Sequence, residues 1–170
     1  MSSSTILFFS ALFFTVVTAG CAPNFAGAAL TLSTASGTVS WSAKAVVGDP
    51  LSASSSSSKF FFQQNGFPIV DYTIKTVEST NFALELGSGA PVIGNTDPSG
   101  SNPNQKWMVD CTFCTPKDIS QEKGNVAGGC SITSTTNKLC VTSKTSPMTL
   151  ATCDKSGDQL FEISAVKASN

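Results

Sequence analysis

The chain has 170 residues, room for one domain, with a net charge of −1 and only 12% charged residues. That balance excludes a basic nucleic-acid footprint and attachment to a membrane surface by charge. Histidine is absent, which removes Ser-His-Asp and Cys-His catalysis and most zinc sites.

Residues 1–20 read as a secretory signal. The apolar run from Ile6 to Val17 is shorter than the roughly 20 residues that span a bilayer, and small residues follow it. An N-terminal membrane anchor is the other reading, and no Lys or Arg precedes the run. The mature domain then covers 21–170. Export places all six cysteines in an oxidising compartment, where three bridges can form.

From Phe25 to Val47 small and apolar residues alternate, and Ala29 to Ser33 and Thr38 to Ser42 read as strands. Ser52 to Ser58 reads as a serine-rich surface loop. Phe60-Phe61-Phe62 follows, then the alternating strand Tyr72 to Val77. Phe82 to Leu86, Pro91 to Asn95 and Asn104 to Val109 are further strand-like runs. Thr115 to Gly129, with Pro116, Gly124, Gly128 and Gly129, reads as a loop. Leu139 to Ser143, Pro147 to Asp154 and Asp158 to Ile163 close the chain as short strands. After the signal no stretch holds a 3.6-residue apolar period, so no helix is expected. No Asn-x-Ser/Thr sequon is present.

These runs repeat. Pro50, Pro91 and Pro147 each precede a large aromatic, Phe61, Trp107 and Phe161 in turn. Ser79-Thr80-Asn81 and Thr135-Thr136-Asn137 occupy matching turns. Three ordered matches at a period of about fifty residues indicate an internal repeat. Three copies of four short strands give an all-β fold closed on itself as a barrel, with Phe61, Trp107 and Phe161 as core wedges. Cys140 and Cys153 staple two strands of the last copy, worth about 3 kcal/mol in the chain-entropy model. Cys21, Cys111, Cys114 and Cys130 allow three pairings. Cys114–Cys130 with Cys21–Cys111 is preferred, because the former closes the Gly-rich segment. The rival is a tight Cys111–Cys114 bridge, whose spacing is also that of a redox motif.

Cys140-Val141-Thr142, Met148 to Cys153 and Asp158-Gln159-Leu160-Phe161, together with Asn104-Gln105-Lys106-Trp107, resemble the ricin B-type lectin repeat of the β-trefoil fold. The chain also resembles small secreted β-trefoil proteins of mushroom-forming fungi. The resemblance runs from Cys21 to about Val166, strong in the second and third copies and carried in the first by layout alone. It implies a pseudo-threefold barrel. It also implies sugar pockets built from an acid, an aromatic and an Asn-Gln pair, taking galactose-type or other glycans.

Carried over residue by residue, Glu85 stands at the acid position and Asn104 and Gln105 at the amide positions, with Asp97 as a helper. Asn95 stands where the aromatic belongs. In the third copy Thr142 and Ala151 replace the acid and the ring, leaving Asp158 and Gln159. Tyr72 and Trp41 are the rings available to cover the second-copy pocket. Gln105 and Gln159 have a competing structural role, bonding backbone, and Glu85 a competing role as a surface charge.

Three functions follow. One is a secreted carbohydrate-binding protein with degenerate pockets, best kept in the second copy. Another is a β-trefoil protease inhibitor presenting Ser52 to Ser58 or Thr115 to Gly129. The last is a structural or interaction protein that has lost sugar binding. No paired carboxylates suggest an enzyme, and neither cofactor nor metal is expected.

Overall fold

A computed structural model describes residues 20–25, 27–66, 70–115, 119 and 122–166. The secretory signal lies outside them, save Gly20. The described chain is all-β, with a single turn of 3-10 helix at Pro103–Gln105. The strands are β1 (Ala29–Thr34), β2 (Ser40–Ser42), β3 (Ser52–Ser54), β4 (Phe60–Asn65), β5 (Asp71–Thr76), β6 (Phe82–Leu86) and β7 (Pro91–Asn95). They continue as β8 (Trp107–Asp110), β9 (Phe113–Cys114), β10 (Gly124–Ser134), β11 (Cys140–Thr142), β12 (Thr149–Ala151) and β13 (Phe161–Val166).

All pairings are antiparallel. β1 pairs β13 along its whole length, from Ala29 opposite Val166 to Thr34 opposite Phe161. β13 pairs β10, β10 pairs β8, β8 meets β5 at Tyr72 opposite Trp107, β5 pairs β4, and β4 meets β1 at Leu30 opposite Phe60. The hydrogen-bonded path through these six strands therefore returns to its start. Three hairpins stand off it: β2–β3, β6–β7 and β11–β12.

The segments holding the three repeated prolines meet one another through backbone hydrogen bonds. Leu51 N–H donates to Pro91 O, Ile93 N–H to Asp49 O, and Met148 N–H to Leu51 O. Leu51, Ile93 and Met148 are each fully buried. The matching positions noted in the sequence are thus neighbours in space.

Alternation fixes which side chains enter the core. Trp107 and Phe161 are fully buried, as expected. Phe61 is not; it is half-buried, and Phe60 and Phe62 on either side of it point into the core instead. The reason is register: Phe60 begins β4 just as Trp107 begins β8 and Phe161 begins β13, and a slip of one residue sends a side chain to the other face. Trp41 packs between Phe60 and Phe161, with centroids 6.0 and 5.3 Å away. Tyr72 and Trp41 are both fully buried, so neither is available to cover a surface pocket. Burial pushes the Tyr72 phenol up to about 12, and its hydroxyl donates to Pro23 O. Trp107 Nε1 donates to Leu84 O at 3.0 Å.

Cys140 and Cys153 are joined as expected, across the β11–β12 hairpin. The preferred pairing of the other four is overturned, and so is the Cys111–Cys114 rival. The bonds are Cys21–Cys114 and Cys111–Cys130. Asp110 lies opposite Ser131, so the next pair along this antiparallel ladder is Cys111 and Cys130. Cys21 does sit beside Cys111, but through reciprocal backbone bonds, Cys21 N–H to Cys111 O and Cys111 N–H to Cys21 O. Its sulfur reaches Cys114.

The segment read as a loop from Thr115 to Gly129 is also corrected: its last six residues, from Gly124, are strand β10. Its glycines serve irregular pairing rather than a turn. The β10–β13 register shifts between Asn125 and Cys130, and Gly129 has φ +59. The Glu162 carboxylate fills the gap, accepting from Asn125 Nδ2 at 2.6 Å and Gly129 N–H at 3.2 Å. A Cβ on Gly128 would collide with that carboxylate.

The register makes a clean contrast within one tripeptide. Phe60→Ala should cost about 3–5 kcal/mol, the usual toll of emptying an aromatic core site. Phe61→Ala should cost at most about 1.5 kcal/mol. Urea unfolding followed by tryptophan fluorescence checks both. Peptide mapping of a non-reduced digest should yield a fragment joining Cys111 to Cys130 and none joining Cys114 to Cys130.

Candidate functional site

The second-copy residues singled out in the sequence lie on the β6–β7 hairpin and the 3-10 turn behind it. Glu85 sits on β6 opposite Val92, half-buried, with its carboxyl lying against Gly94 so closely that a Cβ there would collide with it. Gln105 ends the 3-10 turn and is only 2% exposed. Its amide nitrogen donates to Glu85 Oε2 at 3.0 Å and to Asn95 O at 2.6 Å. Its amide oxygen accepts from Asp97 N–H at 2.9 Å. Glu85, Asn95 and Gln105 are therefore brought together.

Asn104 is engaged elsewhere. Its Oδ1 accepts from Thr136 Oγ1 at 3.1 Å, and Thr136 belongs to the turn that matches Thr80 in the repeat. Asn95 is exposed at the end of β7, opposite Phe82. It contributes its carbonyl to Gln105, but by register its side chain lies on the other face of the hairpin from Glu85, so it is not a ligand of the same pocket.

The third copy shows which of these bonds belong to the fold. Gln159 is 2% exposed, its nitrogen donates to Thr152 O at 2.8 Å and its oxygen accepts from Asp154 N–H at 2.9 Å. That is the Gln105 pattern without the carboxylate. Both glutamines tie the loop after a hairpin strand to the start of the next strand. In the first copy the position two residues before Phe60 is Ser58, whose hydroxyl donates to Ala43 O and accepts from Ala43 N–H.

Each glutamine is backed by a loop built on an aspartate. Asp97 accepts from the Ser99 hydroxyl and from the N–H groups of Ser99, Ser101 and Asn102, at 2.7–2.9 Å. These bonds, the Ser99 hydroxyl foremost, hold its carboxyl far below the usual 3.8. Asp154 is lowered too, chiefly by Ser156. The sequence shows the motif as Asp-x-Ser in both copies, a signal that the sugar-pocket reading passed over.

Glu85 is what distinguishes the second copy. One carboxylate oxygen is bonded by Gln105, and the other has no hydrogen-bond partner among the described residues. The site can offer a positioned, half-buried acceptor with an amide beside it. It has no ring. In the third copy Thr142, at the acid position, is buried and accepts from Lys144 N–H. Asp158 is exposed, its carbonyl taking Ser143 N–H and the Ser143 hydroxyl. Among the described residues no group of three or more His, Cys, Asp or Glu side chains could hold a metal ion, and no helix is long and apolar enough to cross a membrane. Of the loops proposed for protease binding, Ser52–Ser54 is β3 and only Ser55 to Ser57 stands exposed beyond it.

Comparison with protein-family models and with curated proteins finds no match. Among solved structures, a crystal structure of cytolethal distending toxin from Actinobacillus actinomycetemcomitans is similar. Its TM-score is 0.56 at 14% identity, covering 83% of this chain and 95% of that one. At that identity the likeness is one of fold alone.

Two outcomes test the division between fold and site. Gln105→Ala strands Asp97 N–H and Asn95 O, and should cost about 1–3 kcal/mol in urea unfolding, as should Gln159→Ala. The lowered Asp97 carboxyl contributes stability that is complete above the ordinary 3.8 and is lost as pH falls below it toward the depressed value. Asp97→Asn should therefore lower the urea midpoint near neutral pH, and the gap to wild type should close in strong acid.

Proposed function

We propose that the chain is an exported glycan-binding protein of the ricin B-type β-trefoil kind, binding galactose-type or other sugars through the β6–β7 hairpin of its second repeat. The strand circuit is then the barrel. The hairpins β2–β3, β6–β7 and β11–β12 are its three caps, and the meeting of the three proline segments marks the threefold axis. Three disulfides support passage through an oxidising compartment. Absence of histidine supports a binding role over an enzymatic one.

The observation that carries the reading is Glu85. A half-buried carboxylate held in place by Gln105, with one oxygen unengaged among the described residues, accepts hydrogen bonds from sugar hydroxyls without first having to be ordered. Its third-copy counterpart is a buried threonine, so one pocket is kept and the others are lost. Without an aromatic ring over the sugar, affinity falls in the micromolar to millimolar range, about −8 to −4 kcal/mol.

A glycan array probed with wild type and Glu85→Ala should show binding that the substitution removes. Binding unchanged by Glu85→Ala, or an array blank for wild type, overturns the reading. Gly94→Ala is a finer probe. Its methyl group displaces the Glu85 carboxylate, a movable side-chain end, and should weaken the same glycans about tenfold while leaving the urea midpoint nearly unchanged.

A further inference from the structure

A second recess lies on the outward face of β4 and β5, bordered at one end by the Asp97 loop that also backs the hairpin site. One part, about 480 Å³, is lined by Phe61, Gln63, Lys75 and Thr80 together with Asn24 of the N-terminal segment. A smaller part, about 250 Å³, is lined by Gln63, Asn65, Thr73, Lys75 and the Asp97–Gly100 loop. Gln63 and Lys75 border both, so the two parts form one groove.

The register explains the lining. Phe61 lies opposite Lys75, Gln63 opposite Thr73 and Asn65 opposite Asp71, so these six side chains share one face of the sheet. At one end an aromatic ring is left half in water in a strand whose other two phenylalanines are buried. Next to it is an ordered polar row. Asn65 Nδ2 donates to Asp71 Oδ1 and Thr73 Oγ1, both at 3.0 Å, and Gln63 Nε2 reaches Asn65 Oδ1 at 3.4 Å. Lys75 is half-buried in the middle, and its ammonium group has no hydrogen-bond or ion-pair partner among the described residues. The nearby carboxylates are already engaged: Asp71 by Asn65, and Asp97 by its own loop.

An apolar ring face beside amides suits a pyranose, which presents C–H groups on one face and hydroxyls at its edge. An ammonium group lacking a counter-charge suits a carboxylate. We infer that this groove binds a short acidic glycan, with a sugar ring on Phe61, hydroxyls on Gln63 and a uronic carboxylate on Lys75. The site shares with the hairpin reading the class of ligand and the Asp97 loop between them, but none of the ligand contacts inferred here is a hairpin residue.

The test is NMR titration of the labelled full-length mature protein with digalacturonic acid and with its methyl ester, which keeps the rings and removes the charge. Digalacturonic acid should shift the backbone resonances of β4 and β5 most, with those of β6 moving only about Ala83, which lies opposite Lys75. The ester should bind about tenfold more weakly, the loss of one charge-assisted hydrogen bond. Lys75→Gln should abolish that preference for the acid, Phe61→Ala should weaken both ligands about tenfold, and Phe61→Tyr should restore them. Glu85→Ala should leave the titration unchanged, which separates failure here from failure at the hairpin. No shift in β4 and β5, equal affinity for acid and ester, or indifference to Phe61→Ala overturns the inference.

Discussion

The structure depends on a path of hydrogen bonds that has no end. Each of the six strands β1, β4, β5, β8, β10 and β13 is flanked by two others, so none of them presents a free edge along the circuit. Such an arrangement leaves an interior that only side chains can fill. With short strands and no helix to cover them, the filling falls to large residues placed where strands begin. Phe60, Trp107 and Phe161 do this, and Trp41 wedges between two of them. The hairpins are tied in by the same means: the segment holding Pro50 hydrogen-bonds to those holding Pro91 and Pro147, and Leu51, Ile93 and Met148 are buried there.

Within that frame, polar chemistry is repeated where the fold requires it and departs where it does not. Gln105 and Gln159 make the same two backbone bonds, and Asp97 and Asp154 head the same kind of turn. Sequence resemblance to a lectin repeat draws the eye to the amides as sugar ligands, yet their bonds are spent on backbone that would otherwise be buried unsatisfied. Glu85 is the exception. It adds a charge to a network that is complete without one in the third copy. A group the fold does without is where a function is best sought.

Much of this was legible in the chain. Strand-like runs located β1, β2, β5, β6, β7 and β11 to within two residues, and the repeated prolines located segments that prove to touch. What failed shares one cause: these features are set by pairing between distant segments. Choosing Phe60 over Phe61 needs the register of β4 against β1 and β5, since an all-phenylalanine run has no alternation to read. Gly128 and Gly129 look like a turn until Glu162 and Thr112, from other strands and segments, are seen to occupy the space their missing side chains leave. The cysteine pairing depended on whether Cys111 faces Cys21 through its backbone or its sulfur, which spacing does not encode. In the candidate site, the Glu85–Gln105 pair was visible as a motif, while the diversion of Asn104 to Thr136 required the neighbouring repeat.

The first and last strands lie side by side, with Ala29 facing Val166 at one extremity of their ladder. Entry to and exit from the sheet thus occur at a single place, a few ångströms apart. A short linker could join them, and new ends could be opened at any exposed hairpin turn without cutting the circuit.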